Sequence, residues 1–328
     1  MMIIDLIQNS GIFGLSILRK FMSSYKVLVL GANGMLGKMV SLYLDSIKDL
    51  TVDITSRSEN KFVINNFEKN YQIYDTKYTN QELLKEIIFS CDYDYIINCI
   101  GIIKPKIDIK DTNSITNTIL TNSYFPLDIN NLVSSSDIKY IQIGTDCVFS
   151  GLDGNYTEDS FKDAEDLYGK SKIIGEVEGA NKIVIRSSII GPEQGTGFSL
   201  MNWFLNNDEL SVSGYKNHLW NGVTTLNFAK IIAGIILRDD IADFKTHHLI
   251  PKNIISKANL LEELKIHFKK EIDIQHIDAD TVINRTLKSN NDKLNTHLWV
   301  SAGYSRVPTI EENIEELANS ELTHKIMV

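Results

Sequence analysis

The chain has 328 residues, of which 43% are hydrophobic and 23% charged, and its formal net charge is -9. This length allows one large α/β domain and a smaller appended one, while the acidic balance argues against nucleic acid or an acidic membrane surface as a partner. Three widely spaced cysteines, Cys91, Cys99 and Cys147, show neither a disulfide nor a metal-ligand pattern, so we expect no metal site and a cytoplasmic location.

Residues 1–24 are predicted to form an N-terminal extension ahead of the first strand. Their apolar stretch is interrupted by polar residues, and its positive charges, Arg19 and Lys20, come after it. That order is the reverse of a secretory signal, and the longest apolar run is too short to span a bilayer. The segment is interpreted as dispensable, or as a short helix that covers a hydrophobic patch or mediates assembly.

The stretch Lys26–Gly37 organises the chain, because an apolar run ends there on spaced glycines and is followed by helical periodicity. It predicts a strand, a tight turn and a helix that begins at Met35. In this pattern Gly31 permits the turn, Gly34 lets the backbone approach a diphosphate, and Gly37 allows close packing of helix on strand. The amides at the helix N-terminus would then face the phosphates.

The second predicted strand, Leu50–Thr55, ends where a dinucleotide fold contacts the adenosine ribose. Asp53 lies within the strand, whereas Ser56 and Arg57 stand where a 2′-phosphate would be held. This favours NADP(H) over NAD(H), although NAD(H) stays open because Arg57 can equally be a solvated loop residue.

The following segments alternate between strand and helix patterns. Strands are predicted over Tyr71–Asp75, Asp94–Gly101, Lys139–Gly144 and Lys182–Ser187, and helices over Gln81–Phe89, Ser114–Val133 and from Leu167 to about Glu178. Pro126 should kink or divide the second of these helices. Six strands alternating with helices predict an α/β fold with a doubly wound parallel sheet (Rossmann).

Two strand ends in this series are candidate cofactor contacts. Asp75 can meet the adenine amino group, or it can simply end a strand in a turn. Gly101 follows a strand near the expected topological switch point, where a residue without a side chain leaves space for the nicotinamide half.

Beyond Gly191 the pattern predicts a smaller substrate lobe. Helices are expected over Phe198–Leu205, Thr224–Leu237, Lys257–Lys269 and Ile310–Ala318, an extended segment over Leu210–Gly214, and a strand over His247–Ile250 that rejoins the sheet. We therefore assign 25–190 to the NAD(P)-binding domain, joined by about 222–250, and 191–221 with 251–320 to the substrate-binding lobe.

Tyr168 and Lys172 are four residues apart, so on a helix they occupy one face. A nearby ammonium stabilises a phenolate, which would bring the phenol pKa closer to neutrality for proton transfer. Lys172 can also hydrogen-bond the nicotinamide ribose. Thr145, at the end of the preceding strand, supplies a hydroxyl that can orient a substrate oxygen.

These features together resemble the extended short-chain dehydrogenase/reductases and, within them, the dTDP-4-dehydrorhamnose reductase-like sugar-nucleotide reductases. The resemblance runs from about Lys26 to about Ile314. It rests on the motifs Gly31–Gly37, Ile97–Gly101, Gly144–Gly151, Tyr168–Lys172 and Val184–Arg186.

The resemblance implies a catalytic trio of Thr145, Tyr168 and Lys172. It implies reduction of the 4-keto group of a nucleotide-linked deoxysugar, with Tyr168 protonating the alkoxide, for surface-polysaccharide precursor synthesis. The implied cofactor contacts are Gly31, Asn33, Gly34, Met35, Leu36, Ser56, Arg57, Asp75, Cys99, Ile100, Gly101, Tyr168 and Lys172.

Two departures from the family concern the substrate. Sugar-nucleotide 4,6-dehydratases carry Glu directly after Thr-Asp, where this chain has Cys147, so a dehydratase is disfavoured. The related reductases have an aromatic residue at Cys147 and an acid at Ser150, which leaves the sugar open.

Residues proposed to meet the substrate lie on several loops. Arg285 can clamp a diphosphate or form a surface salt bridge, and Trp220 can stack on a sugar or base or lie in the core. Lys104 and Asp146 complete the set.

Three functions stay open on the sequence. The first is the reductase; the second is a sugar-nucleotide epimerase that retains its NAD(P); the third is a catalytically idle NADP-binding regulatory protein. A homodimer is one expectation for assembly, because the sequence does not determine the oligomeric state.

Overall fold

The computed structural model describes residues 24–67, 70–75, 80–176, 178–179, 181–194, 198–239 and 246–327. The predicted extension over residues 1–24 lies outside these ranges except for Ser24. Of the helices in the described ranges, none combines the length and apolar character needed to cross a lipid bilayer.

The described residues form fourteen short or medium strands. They are β1 (Tyr25–Leu30), β2 (Leu50–Ser56), β3 (Tyr71–Ile73), β4 (Tyr95–Asn98), β5 (Lys139–Ile143), β6 (Lys182–Arg186), β7 (Ile189–Ile190), β8 (Ser211–Tyr215), β9 (His218–Trp220), β10 (Val223–Thr224), β11 (Thr246–His248), β12 (Ile255–Ser256), β13 (Asp273–Ile277) and β14 (Ile283–Asn284).

The α-helices of the main domain alternate with the strands, and the described residues form the following helices. They are α1 (Met35–Asp45), α2 (Lys61–Phe67), α3 (Gln81–Ile88), α4 (Thr112–Ile119), α5 (Phe125–Val133), α6 (Leu167–Gly175), α7 (Leu200–Leu205), α8 (Thr225–Arg238), α9 (Lys257–His267), α10 (Asp292–Ser301), α11 (Ile310–Asn319) and α12 (Glu321–Met327).

The main sheet has seven parallel strands in the order β11-β6-β5-β4-β1-β2-β3. This arrangement confirms the predicted doubly wound fold, and β11 confirms that the chain rejoins the sheet. The chain reverses its direction of travel across the sheet between β1 and β4, and such a switch point leaves a crevice at the carboxyl ends of the strands.

Both faces of the sheet are buried. In β1, Val27 and Val29 belong to one hydrophobic cluster, while Leu28 and Leu30 belong to the other. Side chains of a strand alternate between faces, so helices on both sides require a continuous apolar run, as β1 has.

The predicted helix over 114–133 is divided in the structure. A π-helical turn, Leu120–Tyr124, separates α4 from α5, and Pro126 lies in the first turn of α5. Proline is tolerated there because the first amides of a helix have no partner within it.

The smaller lobe contains strand pairs that the sequence did not predict. β8 pairs with β13, and β9 lies between β12 and β14. Helices α10 and α12 were also missed. In α10 the core-facing Leu298 and Trp299 stand among polar residues, which leaves too narrow an apolar stripe for a periodicity argument.

Candidate active site

A cleft opens at the carboxyl edge of the sheet, where β1, β2 and β4 end. Its walls come from the glycine turn, the ends of β2 and β4, and the start of the π-helical segment. The lining residues are Gly31, Asn33, Gly34, Thr55, Ser56, Arg57, Tyr74, Asp75, Cys99, Ile100, Gly101, Ile102, Lys106, Asn117, Thr121 and Glu193.

The cleft brings together most of the residues predicted to bind a cofactor. Gly31, Asn33, Gly34, Ser56, Arg57, Asp75, Cys99, Ile100 and Gly101 all line it. Met35 and Leu36 lie in the first turn of α1 rather than on the wall. The lining residues contributed by the turn after β4 and by α4, such as Lys106 and Asn117, carried no local motif and were missed.

The glycine turn has the geometry of a diphosphate-binding element. Gly31 has a φ of 85°, and a Cβ on Gly37 would lie 2.1 Å from the carbonyl oxygen of Gly31. A Cβ on Gly34 would approach no atom closer than 3.6 Å. Gly34 precedes α1 and no side chain caps that helix, so its first amides remain available to an anion.

Two buried oxygens of the cleft fit a polar ligand. Within the described ranges, Asn33 Oδ1 and Asn117 Oδ1 are buried and accept no hydrogen bond. Buried polar atoms normally have partners, and ligand hydroxyls or amides would supply them here. With Ser56 and the exposed Arg57 beside them, these residues fit the phosphates and ribose of NAD(P).

Thr145 and Tyr168 meet beyond the inner end of this cleft. Thr145 follows β5 and its Oγ1 accepts a hydrogen bond from the Cys147 amide at 3.2 Å. Tyr168 is the second residue of α6, which is capped by Asp166 through a 2.9 Å bond from the Gly169 amide. The Thr145 hydroxyl lies near enough to the phenol to act to lower the pKa of Tyr168, although burial raises it more.

The expected lowering of the Tyr168 pKa by Lys172 is wrong for this arrangement. Burial, followed by the neighbouring Cys147, raises the pKa of Tyr168 well above its ordinary value. The Lys172 ammonium instead donates to the carbonyl oxygen of Ile143 at 2.9 Å. Tyr168 carries its phenolic proton at neutral pH, as an unperturbed tyrosine does, and burial makes that proton harder to release.

Lys172 lies beside the inner end of the cleft. Burial lowers the pKa of its ammonium, and its charge in turn acts to lower the pKa of the Cys99 thiol, which burial raises. Since Cys99 lines the cleft, Lys172 is positioned next to the expected nicotinamide half.

Asn122, in the π-helical turn, ties these elements together and was missed by the sequence analysis. Its Nδ2 donates to Ile102 O at 2.9 Å and to Ser171 Oγ at 3.1 Å, and its Oδ1 accepts from the Ile102 amide at 2.8 Å. Pro126 was the sequence signal that the helix is interrupted near Asn122, and irregular helical turns often occur at functional sites.

The far end of α6 is held by a buried ion pair. Glu176 accepts hydrogen bonds from Arg186 Nε at 2.9 Å and Nη2 at 2.8 Å, and both side chains are almost fully buried. Bidentate pairs of this kind are geometrically specific. They fix α6, and therefore Tyr168 and Lys172, against β6.

Charged residues from both lobes surround the turn after Thr145. Burial raises the pKa of the Asp146 carboxyl, while the charges of Arg285 and Lys257 oppose this shift. Arg285 is held by a 2.9 Å bond from its Nε to the Phe149 carbonyl oxygen. The predicted substrate residues Asp146 and Arg285 are thus close enough to interact.

The other two predicted substrate residues are Lys104 and Trp220, and for Trp220 the structure shows the core alternative. The Lys104 ammonium forms a 3.0 Å ion pair with Asp166, the cap of α6. Trp220 is only 4% exposed, and its Nε1 donates to Ser188 Oγ at 2.8 Å. The pairing of β9 with β12 buries this side chain, so it does not form an open stacking surface.

Within the part of the chain that the structure describes, no group of three or more histidine, cysteine or carboxylate side chains is arranged to hold a metal ion.

Comparisons with known proteins identify the family and the fold of the chain. The model of the family described as RmlD substrate binding domain matches residues 25–322. None of the curated proteins matches the sequence.

Solved structures of several sugar-nucleotide enzymes share the fold. A dTDP-4-dehydrorhamnose reductase from Bacillus anthracis str. Ames in complex with NADP has a TM-score of 0.70 at 16% identity, covering 90% of this chain and 98% of that one. A dTDP-glucose 4,6-dehydratase from the same organism in complex with NAD has a TM-score of 0.65 at 18% identity, covering 92% and 100%.

A third solved structure is that of an enzyme with a different reaction, an epimerase. UDP-glucuronic acid 4-epimerase from Bacillus cereus in complex with NAD has a TM-score of 0.66 at 16% identity, covering 90% and 95%. One fold therefore serves three chemistries, and the reaction has to be argued from the site.

Proposed function

The chain belongs to the RmlD substrate binding domain family, and from this premise we propose that it is an NADPH-preferring reductase of the 4-keto group of a nucleotide-linked deoxysugar. We place it in the cytoplasm, in the synthesis of surface-polysaccharide precursors. The observation that carries the proposal is the position of Tyr168, whose half-buried phenol lies near the Thr145 hydroxyl on the helix that also carries Lys172. Reduction of a ketone requires such a proton donor.

The nicotinamide cofactor supplies the hydride when bound. The protein's own residues do the rest. Thr145 orients the carbonyl oxygen, Tyr168 gives its phenolic proton to the alkoxide, and Lys172 holds the nicotinamide ribose. Because Lys172 is anchored to Ile143 O, its ammonium is fixed at the edge of the sheet before substrate arrives.

Substrate binding is proposed for the charged rim around Thr145. Arg285 is the candidate for the diphosphate, since its guanidinium is held near Asp146 by its bond to Phe149 O. Asp146 can accept a hydrogen bond from the sugar. Lys104 is held near the start of α6 by its ion pair with Asp166. Trp220 is buried and would act on the site through the residues that it contacts.

Replacing Arg57 with Ala tests the proposed cofactor preference. Arg57 is exposed at the cleft wall next to Ser56, where it can pair with a 2′-phosphate. We expect kcat/KM with NADPH to fall about 10- to 100-fold, the value of a hydrogen bond to a charged group, with NADH little changed. The matched control is Lys61→Ala, which removes an exposed cation that does not line the cleft. An equal fall of kcat/KM with both coenzymes would show that Arg57 does not recognise the 2′-phosphate.

The reductase itself is tested by incubating the protein with NADPH and a panel of 4-keto-6-deoxy sugar nucleotides. We expect net, stoichiometric NADPH oxidation, measured by nicotinamide absorbance, and a product reduced at C4. Conversion without net NADPH consumption would instead identify the epimerase with retained cofactor. No conversion despite NADPH binding would favour the catalytically idle regulator, against which the assembled Thr145, Tyr168 and Lys172 argue. A homodimer stays a prediction, open to light scattering.

A further inference from the structure

Lys257 is a charged residue of the second lobe that faces the candidate active site and has no assigned role. It begins α9, directly after β12. The antiparallel pairing of Ile255 with Trp220 places it beside that indole. Its Nζ lies 5.2 Å from the centroid of the Trp220 ring.

The charges that act on Lys257 come from the turn after Thr145 and from Arg285. Asp146 and Cys147 favour its protonated form, whereas Arg285 and burial disfavour it. The ammonium of the second lobe is therefore close enough to the turn after Thr145 to interact with the Asp146 carboxyl.

Fold stability does not account for this cation. Among the residues that the structure describes, none accepts a hydrogen bond from Lys257 Nζ, although the residue is half-buried. A partly desolvated ammonium with no hydrogen-bond acceptor is unfavourable, and the Trp220 ring and the charge of Asp146 offset only part of that cost. The position is also at the N-terminus of α9, where the helix dipole disfavours positive charge. A charged group that is present in a cleft despite both of these unfavourable effects indicates that a ligand binds there.

The Trp220 ring is held in position next to Lys257. Its Nε1 is bound to Ser188, so the indole cannot turn away, and its ring attracts the ammonium. This contact explains how a buried tryptophan contributes to the site without stacking on the sugar.

We propose that Lys257 is a specificity-determining residue, which donates a hydrogen bond from its ammonium to an oxygen of the substrate's sugar moiety. The inference rests on the proposed function and extends it. Asp146 accepts a hydrogen bond from a neighbouring sugar hydroxyl. The two residues thus recognise one acceptor and one donor on the same sugar ring. Because Lys257 belongs to the lobe and Asp146 to the sheet, the sugar bridges the two.

The test compares Lys257→Met with Lys265→Met, a cation on the same helix whose only ion pair is a 3.9 Å contact with Glu262 among the described residues. With a sugar nucleotide that the wild type reduces, we expect Lys257→Met to raise KM for the sugar nucleotide about 10- to 100-fold. KM for NADPH should not change, and Lys265→Met should match the wild type. An unchanged sugar KM in Lys257→Met, with reduction intact, overturns this inference alone.

The pH dependence separates a charge contact from packing. Burial lowers the pKa of Lys257 to about 8, so its positive charge is present below that pH and lost above it. The wild-type KM for the sugar should therefore rise as the pH passes through about 8. Lys257→Arg, which stays charged, should lack that rise. A rise that persists in Lys257→Arg would assign it to another group and overturn the inference.

A second measurement decides the matter if Lys257→Met melts at a lower temperature than the wild type. Labelling of wild-type lysines with an amine-reactive ester, read by mass spectrometry, should show Lys257 protected by the sugar nucleotide and Lys265 unprotected. Labelling of Lys257 that continues under saturating sugar nucleotide overturns the inference. Absence of both turnover and protection with every sugar nucleotide tested overturns the proposed function and this inference together.

Discussion

Tyr168→Phe is expected to lower kcat for reduction by about 10²- to 10⁴-fold, the usual contribution of a positioned general acid. The substitution removes only the phenolic oxygen, so α6 keeps its Asp166 cap and its bond network with Asn122. NADPH binding, measured by the fluorescence of the bound coenzyme, should therefore remain close to that of the wild type.

The control for this variant is Tyr215→Phe. Tyr215 lies on β8, is 38% exposed, and packs its ring against His218. It should retain wild-type turnover. Turnover by Tyr168→Phe equal to that of this control would remove the proposed proton donor and leave the mechanism without support.

Gly37→Ala is expected to lower both the stability and the cofactor affinity of the protein. An added Cβ would lie 2.1 Å from the Gly31 carbonyl oxygen and 2.9 Å from its carbonyl carbon. Both are backbone atoms, so the clash can be relieved only by moving α1 away from the turn. Overpacking of this kind costs about 1–3 kcal/mol, which outweighs the roughly 1 kcal/mol that alanine gains over glycine in a helix.

The matched variant is Gly34→Ala, which separates the two effects. Its Cβ would meet Gly31 O at 3.6 Å and Cys99 O at 3.9 Å, ordinary contacts that the protein tolerates, but it would enter the cleft. The melting temperature should therefore fall clearly in Gly37→Ala and little in Gly34→Ala. Titration with NADPH should show weaker binding in both variants. Full NADPH affinity in Gly34→Ala would argue against diphosphate binding at this turn.

The ion pair of Glu176 and Arg186 illustrates how the site depends on distant residues. Arg186 belongs to a motif that the sequence resemblance singled out, yet its role emerges only from its two bonds to the end of α6. A helix that carries two functional side chains has to be fixed at both ends. Asp166 performs this task at the start and Glu176 at the end.

Local pattern was sufficient for the parallel sheet. Continuous apolar runs such as β1 predict strands covered on both faces, and the glycine spacing after β1 predicts the turn and α1. Gly31, Asn33 and Gly34 were identified as cleft residues for the same reason, because their conformation and contacts are set within a few residues of chain. Apart from β8, the short strands of the second lobe were not predicted, since pairing between distant segments leaves no local period.

The amino-acid sequence by itself determined the fold class and the spacing that places Tyr168 and Lys172 on one helical face, because helical and strand periods depend on neighbouring residues. Only the tertiary structure decided the raised pKa of Tyr168, the burial of Trp220 and the approach of Lys257 to Asp146. Burial and charge are sums over groups that come from remote parts of the chain. They exist only once the lobe has packed over the sheet.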